Sequence, residues 1–164
     1  SSVQSWGIKI DAVVVHPNSE EQWRKELAGQ FPLTFIITTG PHPPAALEYL
    51  HQLGSTHVNR VAAFPSVAPT PPDGQEWVFF TPNVKISYIR RPHWKKWLSQ
   101  GSILQLWMSD FEGKNLAGLP IAGFYQVLQD GWAEVNHPDG SFWLGEAFPE
   151  FEGVIARSKP GLPN

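Results

Sequence analysis

Cysteine is missing altogether from this 164-residue chain. Its absence excludes a disulfide framework, a thiolate nucleophile and every zinc site built on sulfur ligands. Charge is also scarce: Asp, Glu, Lys and Arg make up 16% of the residues, against roughly 25% in an average globular protein. The surface must therefore be covered largely by hydroxyls, amides, proline and backbone rather than by ion pairs. Long apolar runs are lacking too. Stretches such as Ala12-Val13-Val14-Val15 fall far short of the ~20 residues that a membrane-spanning helix requires, so no membrane partner is expected. The first residues show neither the basic n-region nor the apolar h-region of a signal peptide, and the default expectation is a cytoplasmic protein.

Catalytic signatures are lacking as well. There is no nucleophile elbow, no H-E-x-x-H, no G-x-G-x-x-G and no P-loop. Asp110 with Glu112, and Glu146 with Glu150 and Glu152, follow no spacing that specifies a metal ion or an acid–base pair. The order Asp139 then Glu146 lacks the lysine that nucleases of the PD-(D/E)XK type carry two residues beyond the glutamate, since Phe148 stands there. No metal and no cofactor are expected, and binding is expected before chemistry.

What the chain does have is apolar and aromatic material. Hydrophobic residues make up 41% and aromatics 13%, enough to repay the entropy of ordering one core. The reading is a single α+β domain over 1–164, with an α/β half (1–64), a proline-rich connection (65–75) and a β-rich half (76–157).

In the first half, Gly7 to Val15 begins in alternation and ends as a β-branched run, as a strand buried on both faces at its far end would. A helix is expected next, capped at Asn18 or Ser19, with Ser19 and Gln22 at capping-box spacing and Gly29 after its end. Leu33 to Thr38 reads as a second strand. Pro43 to Leu53 reads as a second helix, with Leu47, Leu50 and Leu53 inward and Gly54 ending it, and His57 to Phe64 as a third strand. The order β-α-β-α-β predicts a short parallel sheet.

Pro65 to Gly74 is an extended connection rich in proline. Beyond it, strands are predicted at Glu76–Phe80, Val84–Ile89, Ser102–Met108, Ala122–Leu128, Trp132–Val135 and Ser141–Leu144. Their turn signals include a hairpin at His137-Pro138-Asp139-Gly140. The arrangement predicted is a mainly antiparallel meander or partial barrel.

Two clusters are candidate sites. The first is basic and aromatic: Lys85, Tyr88, Arg90, Arg91, His93, Trp94, Lys95, Lys96 and Trp97, in a stretch with no acidic residue between Glu76 and Asp110. Arginine forks, mobile lysines and stacking rings are the ingredients of polyanion recognition. The same residues can equally serve as a solvated loop, or as cations resting on rings of the same molecule. Trp94 and Trp97 fall in a segment read as helical or turn-like, with one ring packed down and the other accessible. The second cluster gathers where the parallel strands end: His16, Ser19, Thr38, Thr39, His42 and Ser66, a set of donors for an anion or a small polar molecule.

The stretch from Trp97 to Trp107, continued by Gly113-Lys114 and by Gly118 to Leu128, resembles the strand–turn–strand rhythm of small RNA-binding barrels of the PUA and ASCH type. Three expectations of function follow. The first is a non-enzymatic binding module that contacts nucleic acid or another anionic partner through the basic segment. The second is a small enzyme or ligand-binding domain using the strand-end cluster. The third is an adaptor or assembly protein that docks another protein through exposed tryptophan and proline.

Overall fold

The computed structural model describes residues 9–138 and 140–152. Among the described residues it is α+β, with few helices, two parallel strand pairs and otherwise antiparallel pairing. The chain forms two compact units, Ser1–Ser55 and Thr56–Asn164.

In the first unit, β1 (Ala12–Val15) and β2 (Thr34–Ile37) lie parallel, with Ala12 opposite Thr34 and Val15 opposite Ile37. A 3-10 turn at Pro17–Ser19 leads into α1 (Glu20–Glu26), and α2 (His42–Gln52) follows β2. Ion pairs Glu20–Arg24 at 2.7 Å and Glu21–Lys25 at 2.8 Å staple α1 along its exposed side.

The capping box does not form. The Ser19 hydroxyl donates to the His16 carbonyl at 3.0 Å, and Gln22 donates to Glu26 instead. Leu53 lies on the exposed side rather than inward. Gly54, at φ 70°, adopts the left-handed conformation that lets the amide of Ser55 reach back to the Leu50 carbonyl and end the helix.

Among the described residues the second unit is a sandwich of two sheets, with no closed barrel. The larger sheet has seven strands: β3 (His57–Val61), β4 (Glu76–Phe80), β5 (Val84–Ile89), β7 (Ile103–Leu106), β9 (Leu116–Gly118), β10 (Phe124–Val127) and β12 (Phe142–Ala147). The smaller sheet joins β6 (His93–Leu98), β8 (Glu112–Lys114) and β11 (Gly131–Asn136). Strand β3 is parallel, as its place in the sequence suggested, but its partner is β4. The proline-rich excursion returns the chain alongside β3 in the same direction.

Period-2 alternation decides which side chains meet between the sheets. From the smaller sheet come Trp94, Ala133 and Val135, and from the larger Leu104, Leu106, Val127, Phe142 and Leu144, joined in one buried cluster. The expected hairpin at His137–Gly140 is a passage between sheets, because β11 pairs with β6 and β8 while β12 pairs with β5 and β7. Asp139 itself lies outside the described residues.

The other face of the larger sheet is aromatic. Phe79 is fully buried, with its ring edge-on to Phe64 at 5.1 Å and to Trp143 at 5.5 Å. Across this face runs the proline-rich stretch. The Trp143 indole donates to the Pro69 carbonyl at 2.9 Å, and the Trp77 indole donates to buried Gln75 at 2.9 Å.

Candidate functional site

The basic segment is the first test of function, and its geometry disperses it. Lys85, Tyr88, Arg90 and Arg91 line an open groove that also holds Glu76. His93, Lys95 and Trp97 alternate onto the outer face of the smaller sheet, while Trp94, 6% exposed, belongs to the core. The segment read as helix or turn is strand β6, because its period is 2: Trp94 points in and its two neighbours point out.

Four of its cationic side chains, Arg90, His93, Lys95 and Lys96, also have acidic partners within the molecule. Arg90 donates to the carbonyls of Pro71 (3.1 Å), Pro72 (2.5 Å) and Gln75 (3.0 Å) and pairs with Asp73 at 3.4 Å. Lys96 is paired with Glu146 across the sandwich. Glu134 faces Lys95 at 3.1 Å, His93 at 3.5 Å and Lys114 at 3.7 Å. The Lys95 hydrogen bond holds the Glu134 carboxyl below the ordinary carboxylate range, against an opposing push from partial burial and with further help from the Lys114 and Lys95 charges and from His93. A stretch without acids in the sequence has been given acids by the fold.

Arg90 therefore acts as a clamp on the proline-rich stretch. Arg90→Met leaves three carbonyls without their donor and is expected to lower the unfolding free energy by about 2 kcal/mol. Urea denaturation reads that loss, and limited proteolysis reads the release of residues 66–74. A variant as stable and as resistant as the parent would show that the stretch holds without the clamp.

The strand-end cluster fares differently. Because β1 and β2 are parallel and in register, Val15 and Ile37 finish side by side, and the chain leaves both at the same end of the unit. The Thr38 amide continues the ladder by donating to the Val15 carbonyl at 3.0 Å. The Thr38 hydroxyl accepts from the Gly40 amide at 3.0 Å, which shapes the turn into α2. The His16 Nδ1 accepts from the Asn18 amide at 3.3 Å, which places the proton of the neutral ring on Nε2. His42 is the first residue of α2 and is exposed, as is Thr39.

Pro43 and Pro44 follow His42 in the first turn and contribute no N–H, so the helix start offers an anion few backbone donors. Recognition here falls to side chains: two imidazoles, the hydroxyls of Ser19, Thr38 and Thr39, and no lysine or arginine from 16 to 19 or 38 to 42. Ser66, expected in this cluster, belongs to the second unit.

There Ser66 lines a hollow of about 380 Å³ that the sequence did not announce, together with Phe64, Asn83, Gln105, Trp107, Phe124 and Phe151. Phe64 lies tilted against Trp107 at 4.7 Å, and Phe124 against Phe151 at 6.1 Å. Gly145 keeps this hollow open: a Cβ there would stand 2.8 Å from Val84 Cγ1 and 3.3 Å from the Trp107 ring. Among the described residues the Gln105 carboxamide has no hydrogen-bond partner. Among them, too, no group of three or more His, Asp or Glu side chains is placed to hold a metal ion, and no helix is long and apolar enough to cross a membrane.

Fold and site together define an α+β protein with a polar edge on the parallel pair of its first unit and an aromatic-lined sandwich as its second. No family model and no curated protein matches the chain. Its fold resembles that of thiamine pyrophosphokinase from Bacillus subtilis, with a TM-score of 0.51 and 8% identity over 86% of this chain and 80% of that one. A protein from Lactobacillus plantarum is similar in the same way, with a TM-score of 0.54 and 9% identity over 87% of this chain and 81% of that one.

These likenesses, with the dispersed and paired cations, overturn the first expectation from sequence. The chain is not read as a module for nucleic acid or another polyanion held by the Arg90–Trp97 segment. The fold resembles that of an enzyme, and no closed barrel is formed among the described residues.

Proposed function

We propose that this chain is a small ligand-binding or enzymatic domain that takes a small polar molecule at the carboxyl ends of β1 and β2. The observation that carries this reading is the parallel register, which brings His16, Ser19, Thr38, Thr39 and His42 to one end of the first unit. Ligands of open parallel sheets collect at that end because the connecting loops and helix starts converge there. The fold shared with a thiamine pyrophosphokinase supports a small-molecule role over a macromolecular one. In such a site His16 Nε2 donates, and the threonine hydroxyls donate or accept.

The test is a calorimetric titration with thiamine and with inorganic pyrophosphate. At least one is expected to bind, and a Thr38→Val/His42→Ala variant with an unchanged unfolding temperature is expected to lose about tenfold in affinity, or ~1.4 kcal/mol. Absence of heat with both molecules, or binding indifferent to the variant, contradicts the strand-end site. A second reading is favoured by the unpartnered Gln105 amide in the aromatic hollow. It expects binding to survive the strand-end variant and to fail in Trp107→Ala.

A further inference from the structure

The outer face of the smaller sheet carries a pair of indoles, only one of them in the basic segment and neither in the strand-end cluster. Trp97 on β6 and Trp132 on β11 are directly opposite in register, and each is 54% exposed. Residues paired this way have Cβ atoms about 5 Å apart, so two indoles stand side by side on a pleated surface. Leu128 is exposed nearby in sequence to Trp132. A shallow hollow of about 440 Å³ adjoins the pair, lined by Lys114, Asn115, Leu128, Gln129, Gly131 and Trp132.

The rim of this hollow is held deliberately. Asn115 sits at φ 60°, a conformation few residues other than glycine accept. It is fixed there by donating to the Gln129 carbonyl at 2.9 Å and accepting from the Gln129 amide at 3.1 Å. Burying a tryptophan is worth several times the cost of a turn, so a folded chain gains nothing in stability from leaving two indoles in water.

Charge selects the occupant. Around the rings, Glu134 faces Lys95, Lys114 and His93, and Glu112 shares the outer face of β8 with Lys114, so the two lysines are matched by two carboxylates; Lys95 Nζ also lies 4.9 Å from the Trp132 ring centre. A polyanion would have to pull these cations off Glu134, and a polycation would meet them head-on. Size narrows the choice further. Two half-exposed indoles present on the order of 200–250 Å² of ring surface, well below the ~800 Å² per partner of a stable protein interface. The surface suits a neutral molecule with an apolar C–H face to lay on the electron-rich rings and a rim of hydroxyls to meet Lys, Glu, Asn and Gln. That is the chemistry of a sugar ring.

We propose that Trp97 and Trp132 form a stacking platform for a neutral oligosaccharide, with Lys95, Glu134, Lys114, Asn115 and Gln129 as the hydroxyl-binding fringe.

The test titrates the full chain with cellohexaose, chitohexaose and maltohexaose, following tryptophan emission and backbone amide shifts. At least one sugar is expected to bind with an affinity insensitive to added salt and to shift amides on β6 and β11. Trp97→Ala and Trp132→Ala are each expected to weaken it tenfold or more while leaving the thermal midpoint in place, since both rings face solvent. No binding by any of the three, or binding unchanged in both variants, overturns the proposal. So does a concentration-dependent dimer, seen by light scattering, that Trp97→Ala dissolves, because the platform would then be a contact between two copies. A strand-end ligand that binds normally in Trp97→Ala would leave the reading of the first unit intact, so the two sites fail or stand separately.

Discussion

Phe79→Ala is expected to lower the unfolding free energy by about 4 kcal/mol, the largest single loss in the second unit. Phe79 is fully buried on β4, edge-on to Phe64 and Trp143, with the Arg60 guanidinium 4.6 Å above its ring. Truncation removes a buried ring and leaves a cavity between residues that come from three separate stretches of chain. Those neighbours are held by other bonds, Trp143 through its indole to the Pro69 carbonyl, so collapse into the cavity is limited and the loss stays near the upper part of the usual range. The Arg60 guanidinium, whose pKa burial already pulls downward, loses the nearer of its two ring contacts in the same step and keeps that to Trp77. Guanidinium chloride denaturation measures the change. A loss under about 1.5 kcal/mol would mean that the site relaxes freely and that the aromatic face is not a packed core.

Gly145→Val is expected to cost about 3 kcal/mol by the opposite route, overpacking. Gly145 lies in the middle of the larger sheet, buried between Ile86 of β5 and Gln105 of β7. Even a methyl group would meet Val84 Cγ1 at 2.8 Å, Gln105 Cβ at 3.2 Å and the Trp107 ring at 3.3 Å. Valine adds two more carbons in a strand centre that cannot move without breaking ladders on both sides. Its favourable strand propensity offsets under 1 kcal/mol of this. The substitution should also lift Trp107 from its place and fill the hollow, so a thermal midpoint lowered by several degrees should be accompanied by a change in tryptophan emission. An unaltered midpoint would show that Trp107 and Val84 swing aside at little cost.

Local pattern made much of this fold legible. Glu76–Phe80 and Val84–Ile89 were readable to the residue because each alternates cleanly between a buried and a wetter side. Gly54 was readable because only a left-handed residue ends a helix in that way. Strand β6 was hidden by its charges: in His93-Trp94-Lys95-Lys96-Trp97-Leu98 the core side carries Trp94 and then Lys96, which is paired with Glu146, and the apolar period is broken.

The same pairing explains the misread site. Lys96 and Glu146 are fifty positions apart, so part of the segment that looks uniformly basic along the chain is paired with acids in space. The strand-end cluster was legible because parallel strands in sequence order deliver their loops to one end. The aromatic hollow was not, since it draws on residues from Phe64 to Phe151 and its only local mark is a glycine inside a strand, where close approach of another group is the usual cause.

The most direct test of the central claim is an amide-resolved NMR titration of the whole chain, first with the two small molecules named for the strand-end site and then with a short single-stranded RNA. The account predicts shifts at residues 16–19 and 38–42 with a small molecule and none at residues 85–97 with the RNA. Shifts at 85–97 with RNA, and a silent strand end with both small molecules, would contradict it.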